Sequence, residues 1–150
     1  MKKMTILLFI LLISYQAFCP NSKVLFIEIS EPVNPYENIW NATCSVESNY
    51  TDYIIGDKHL KHKSYGRAQI RKTRLKDYAK CTGIYYKEKD MFDPIKSKEV
   101  FMYYACQFYP SQLEEIASEW NAGPNWRNVK SVKNYYVKIQ KALYEIKNKK

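Results

Sequence analysis

Five stretches of this chain carry apolar residues at helical spacing, and one polar segment between the first two has no helical period. That pattern commits the chain to short helices around one core, with a single excursion. Asn34-Pro35-Tyr36-Glu37 reads as the first start, with Asn34 as cap, Pro35 in the first turn and Glu37 bonding back in a capping box. Ile39, Ala42, Thr43 and Val46 then share a face, and the helix is expected to end near Ser48 or Asn49. From Thr51 to Lys63 the period is lost, and Tyr53-Ile54-Ile55 before Gly56-Asp57 reads as a short strand and turn. Gln69 to Cys81 returns to helix, with Ile70, Leu75, Tyr78 and Ala79 on one side and Gly83 as terminator. Asp93-Pro94 starts the next, with Phe101, Tyr104, Ala105 and Phe108 facing the core and Pro110 as its stop. Ser111 and Glu114 form a capping box for a short helix carrying Leu113, Ile116, Ala117 and Trp120, ended by Asn121-Ala122-Gly123-Pro124. Val132, Tyr136, Ile139, Leu143 and Ile146 mark the last. The expected class is α+β, mainly α, with a small β-hairpin or loop region after the first helix.

A chain of 150 residues supports one cored domain rather than two. Its start is read as a signal peptide over 1–19: Lys2 and Lys3 precede an apolar run from Thr5 to Ser14, too short for a membrane span. Residues 20–150 are then the mature domain, exported and without a stable span after processing. Cys19 raises the possibility of a lipid anchor, but Phe18 before it is too large for such a site, so export without lipidation is expected. In an oxidising compartment Cys81 and Cys106 are the pair best placed for a bridge between two helices, with free buried thiols as the alternative. The net charge of +9 is compatible with several anionic partners and selects none. Basic residues are read as spread along the chain rather than gathered in one stripe, which argues against nucleic acid.

Nucleotide, zinc-protease and serine-hydrolase motifs are absent. His59 and His62 lie in a lysine-rich loop and read as solvated, and no cysteine spacing suits zinc, so neither metal nor cofactor is expected. Asn41 and Asn49 stand in N-x-T sequons, which matter only in a glycosylating host. Glu47 is the residue that suggests chemistry. It falls in the last turn of a helix, where the dipole disfavours an anion and raises the carboxyl pKa. A carboxylic acid kept protonated near neutral pH is what glycosidic cleavage needs as proton donor.

Four blocks accompany it in order: Glu47-Ser48-Asn49-Tyr50, then Gly66-Arg67-Ala68-Gln69-Ile70, then Ala117-Ser118-Glu119-Trp120-Asn121-Ala122-Gly123-Pro124, then Asn134-Tyr135-Tyr136-Val137. Together, over about residues 34–143, they resemble the catalytic domain of soluble-lytic-transglycosylase type in the goose-type lysozyme-like superfamily. The resemblance implies a lysozyme-like fold whose cleft cuts the β-1,4 bond between N-acetylmuramic acid and N-acetylglucosamine in peptidoglycan strands. Glu47 matches the family's catalytic acid, which then acts as base while the sugar's C6 hydroxyl closes a 1,6-anhydro ring. Gln69 and Asn121 match polar cleft positions, Tyr136 the tyrosine that reaches the acid, and Trp120 an aromatic wall. Ser64 and Ser48 are further carry-overs. Arg67 and Ala68 depart from the apolar pair the family places before its Gln, and Trp120 replaces a Tyr.

Two other readings stand beside this one. A hydrolytic muramidase on the same fold needs a second carboxylate, and Asp52 or Asp57 would supply it. A non-catalytic wall-binding module would keep the fold alone. Lys58, Lys61 and Lys63, with Arg67, are expected to border the cleft and attract anionic strands.

Overall fold

Over residues 34–148, apolar stripes draw five α-helices around one core, and a small sheet fills the polar interruption. The computed structural model describes residues 34–148, so the segment 1–19 read as a signal peptide, and Cys19 with it, lies outside the described residues. Helix α1 spans Glu37–Ser48, followed by strands β1 (Ile55–Gly56), β2 (Ser64–Tyr65) and β3 (Ile70–Arg71). Then come α2 (Lys72–Thr82), a 3-10 turn (Glu88–Phe92), α3 (Pro94–Ala105), α4 (Leu113–Ala122), a second 3-10 turn (Trp126–Asn128) and α5 (Val132–Asn148). The strands form an antiparallel meander in which Ile55 faces Tyr65 and Tyr65 faces Ile70. The class is α+β, mainly α.

The core is aromatic at its centre. The Phe101 ring on α3 lies 5.2 Å from Trp40 on α1 and 4.9 Å from Trp120 on α4, so one ring fastens three helices. Full burial of such a side chain contributes roughly 2–3 kcal/mol. Ile39, Ala42 and Thr43 on α1 are buried as their spacing predicts, and so are Val132 and Ile139 on α5, whereas Leu143 and Ile146 are only half-buried and Ala142 takes an inward place the expected stripe did not include.

Several caps differ from expectation. Asn34 does not cap α1: its Oδ1 accepts from the Tyr36 amide at 3.0 Å, a turn before the helix begins. Glu37 pairs with Lys98 at 2.6 Å instead of bonding back. Gln112, not Ser111, precedes α4, and its Oε1 accepts from the Tyr109 amide. Asp93 caps α3 as expected by accepting from the Ile95 amide at 2.8 Å. That helix ends at Ala105, short of Pro110.

The second helix starts later than its periodicity suggests. Ile70 and Arg71 pair with β2 instead, and Gln69 takes a left-handed φ of 52°. The cysteines Cys44, Cys81 and Cys106 are free, so the expected Cys81–Cys106 bridge is not formed. Tyr103 on α3 stands beside Cys81, while Cys106, just past the end of that helix, lies near Tyr36.

The meander is held closed by a glycine. Gly66 has φ +72°, and a Cβ there would stand 1.8 Å from the Met91 carbonyl oxygen. Gly83 has a similar φ of +77° with nothing within 4 Å of the added atom. Gly66→Ala is therefore expected to cost about 3 kcal/mol or more in a urea-unfolding experiment. Gly83→Ala is expected to cost only about 1 kcal/mol. Equal losses would show that strain in φ alone, without the Met91 contact, fixes this turn.

Candidate active site

The last turn of α1 delivers Glu47 to the floor of an open cleft of about 680 Å³. Asn49 ends the helix in the left-handed conformation, and the Tyr50 amide reaches back to the Cys44 carbonyl at 3.1 Å. Ser48 then anchors that end to the sheet. Its Oγ donates to the Arg67 carbonyl at 2.8 Å and accepts from the Thr51 amide at 3.1 Å. Ser48 is thus a positioning residue and does not line the cleft.

Facing Glu47 across the helix pair, Tyr135 on α5 donates its hydroxyl to Glu47 Oε1 at 2.8 Å. Burial lifts the Glu47 carboxyl from its ordinary 4.5 to about 7. The Tyr135 hydrogen bond and the charge of Arg71 oppose that rise, Asp57 adds to it, and Lys138 opposes it more weakly. Burial, and then the neighbouring Glu47, push the Tyr135 hydroxyl well above its usual range, so it remains a donor.

The tyrosine assignment from sequence is corrected here. Tyr136, matched to the residue that reaches the acid, is half-buried against the core and does not line the cleft. On α5 the inward residues are Val132, Tyr135, Ile139 and Ala142. One residue further along, a side chain turns about 100° away, which moves Tyr136 off the Glu47 side.

Ser64, Gln69, Trp120 and Asn121 all line the cleft with Glu47. Ser64 Oγ donates to Gln69 Oε1 at 2.6 Å, and Gln69 Nε2 donates to the Gly66 carbonyl at 2.8 Å. The Gln69 carboxamide therefore braces the sheet while presenting its outer side to the cleft. Gly56 makes room for it, because a Cβ there would stand 1.9 Å from Gln69 Oε1. Trp120 serves both core and cleft, being buried against Phe101 while lining the wall. Asn121 is exposed at the rim.

Of the two aspartates weighed as a second carboxylate, only Asp57 shares the cleft. Burial raises its carboxyl, but the hydrogen bonds and charge of Arg71 outweigh this and hold it below the usual range. Arg71 donates to Asp57 Oδ2 from Nε at 3.1 Å and from Nη2 at 2.8 Å. Asp52 is engaged elsewhere, in a bidentate pair with Arg67. Lys58, Lys61 and Lys63 are exposed but none lines the cleft, and Arg67 lies in a groove on another face, so the expected basic border is not there. The cleft's charged lining is Glu47, Asp57, Asp77 and Glu119 with Arg71 and Arg74. Among the described residues, no group of three or more His, Cys, Asp or Glu is placed to hold a metal.

Arg74 is the residue that sequence reading missed. Its guanidinium lies 4.4 Å from the Tyr104 ring centroid and 4.6 Å from that of Trp120. It donates to both Glu119 carboxylate oxygens at 3.2 Å, and to the Glu119 and Trp120 carbonyls at 3.0 Å. It thereby supplies a donor to the Trp120 carbonyl near the end of α4, adds a second to the Glu119 carbonyl that the Gly123 amide already meets, and fixes the aromatic wall. An arginine three residues after Arg71 was visible in the sequence, but its partners come from α3 and α4.

No family model, curated protein or solved structure matches this chain.

Folded, Glu47 keeps its proton up to about pH 7; unfolded, it releases it near 4.5. Between those values the folded state binds more protons, so stability falls as pH rises. Glu47→Gln cannot ionise and escapes that loss. The variant is expected to match wild type below pH 4.5 and to exceed it at pH 8 by on the order of 3 kcal/mol in urea unfolding. An unchanged difference across that range would exclude a raised carboxyl at Glu47.

Proposed function

We propose that this protein is an exported peptidoglycan lytic transglycosylase with a lysozyme-like catalytic domain, cleaving between N-acetylmuramic acid and N-acetylglucosamine. The supporting observation is Glu47, whose carboxyl burial pushes up to about 7, lining an open cleft with a tyrosine hydroxyl on one of its oxygens. The resemblance of the four sequence blocks supplies the substrate class.

In this reading Glu47 begins protonated and gives its proton to the glycosidic oxygen as the bond to the muramoyl C1 breaks. The sugar becomes oxocarbenium-like, and Glu47 is left as a carboxylate. Tyr135 then stabilises that carboxylate without surrendering its own proton. The C6 hydroxyl attacks C1, Glu47 recovers a proton from it, and the 1,6-anhydro ring closes. Trp120 and Asn121 border the bound strand, while Ser64 and Gln69 keep the opposite wall in place. No step requires a second carboxylate, a metal or a cofactor.

A hydrolytic reading is favoured by one observation, the ionised Asp57 in the same cleft. Its pairing with Arg71 makes it a weak base, which is why the transglycosylase route is preferred. The mass of the muropeptide ends decides between them, since an anhydro end is lighter by one water.

Glu47→Gln is expected to lower lysis of purified peptidoglycan by roughly 10²–10⁴ with the fold retained. Asp57→Asn should cost far less. Turnover at the wild-type level in Glu47→Gln would remove the assignment, and a loss at Asp57 as deep as at Glu47, with hydrolysed ends, would move it to a muramidase. Because Glu47 must start protonated, kcat/KM is expected to decline above about pH 7. A profile flat from pH 6 to 9 would contradict that role.

A further inference from the structure

Seven of the nine net positive charges fall after residue 126. Residues 127–150 hold eight lysines and arginines against one acid, Glu145. The reading of basic residues as evenly spread is therefore corrected, and helical geometry sharpens the correction. On α5, Val132, Tyr135, Ile139 and Ala142 face the core. Lys133, Val137, Lys141, Tyr144 and Lys147 are exposed and fall on the opposite side at helical spacing. Among the described residues, the ion pairs involve none of these three lysines.

We propose that this outer face of α5 docks on a membrane surface of anionic phospholipid. Charge complementarity selects an anionic partner, and two side chains select lipid over a soluble polyanion. Val137 and Tyr144 are 61% and 69% exposed within the basic stripe, where an apolar side chain and an amphipathic ring gain by entering the headgroup boundary. Lysines flanking them lay their methylene stems along that boundary and keep their ammonium groups among the phosphates. The 17-residue helix presents a line of contacts about 25 Å long. No helix among the described residues is long and apolar enough to cross a membrane, so the contact is one of lying on the surface. It depends on no property of the cleft.

The test is sedimentation of the full chain with vesicles of phosphatidylcholine containing 30% phosphatidylglycerol, a composition chosen to give a strongly anionic surface, and with pure phosphatidylcholine. The apolar run in 1–19 is the same in every variant, so comparisons isolate the named positions. Each lysine at an anionic surface is worth roughly fivefold in partitioning at low salt. Lys133→Gln, Lys141→Gln and Lys147→Gln together are expected to weaken binding to anionic vesicles by about a hundredfold, leaving the neutral vesicles unchanged. Lys58→Gln, Lys61→Gln and Lys63→Gln remove the same charge from an exposed loop and should change binding by no more than about twofold. Val137→Ser with Tyr144→Ser should cost about tenfold on vesicles and nothing on soluble polyphosphate. Equal losses from the two lysine triples would reduce the face to net charge and overturn the proposal. No loss on vesicles from the serine pair would overturn it in favour of a polyanion site.

Discussion

The hydrogen bond from Tyr135 to Glu47 joins the end of the first helix to the start of the last, and the candidate site is organised around it. A carboxyl at that depth favours its neutral form, because removing an ion from water costs more than one tyrosine donor returns. The bond therefore does less to ionise Glu47 than to orient it, holding one oxygen of a carboxyl that lines the cleft. Everything that sets the α1 end supports this geometry. The left-handed Asn49, the Tyr50 amide closing on Cys44, and Ser48 reaching the Arg67 carbonyl each limit where Glu47 can stand.

The opposite wall depends on a largely buried ion pair, Arg74 with Glu119. Arg74 lies between two aromatic rings with its donors on Glu119 and on the carbonyls that end α4. A buried ion pair contributes little net stability unless its remaining hydrogen bonds are satisfied, and here both terminal guanidinium nitrogens are engaged. Its effect is to fix Trp120 in place. Strain gathers around the same cleft: Asn49, Tyr50, Asp57 and Gln69 all adopt positive φ without being glycine. Such conformations persist only where surrounding contacts over-determine them. The Gln69 bridge between Ser64 and Gly66 and the Arg71–Asp57 pair are contacts of that kind.

Charge divides the domain. The cleft mixes acids with two arginines, whereas the outer face of α5 carries unopposed lysines. The same helix holds Tyr135 on its inner side. Its two faces thus separate the group that orients the acid from the groups that meet a surface, and a 3.6-residue period is what allows both in one segment.

The sequence by itself determined the helices and most of their buried residues, α5 being turned partly away from its expected stripe, because an apolar period is a local property that survives in one dimension. It also determined the end of α1, since Asn49 tolerates the left-handed conformation, and so the placement of Glu47 in a last turn. It misplaced the start of α2, because the pairing of Ile70 and Arg71 with β2 is a contact between separate segments that no local period records. Tertiary structure alone decided which of two adjacent tyrosines meets Glu47, which aspartate enters the cleft, and that Cys81 and Cys106 stay apart. Those outcomes depend on the rotation of α5, on which arginine each acid finds, and on which side chains pack beside each thiol. Arg74 is the clearest case. Nothing local distinguishes it from Arg71, and its role exists only because α3 and α4 bring Tyr104, Glu119 and Trp120 around it.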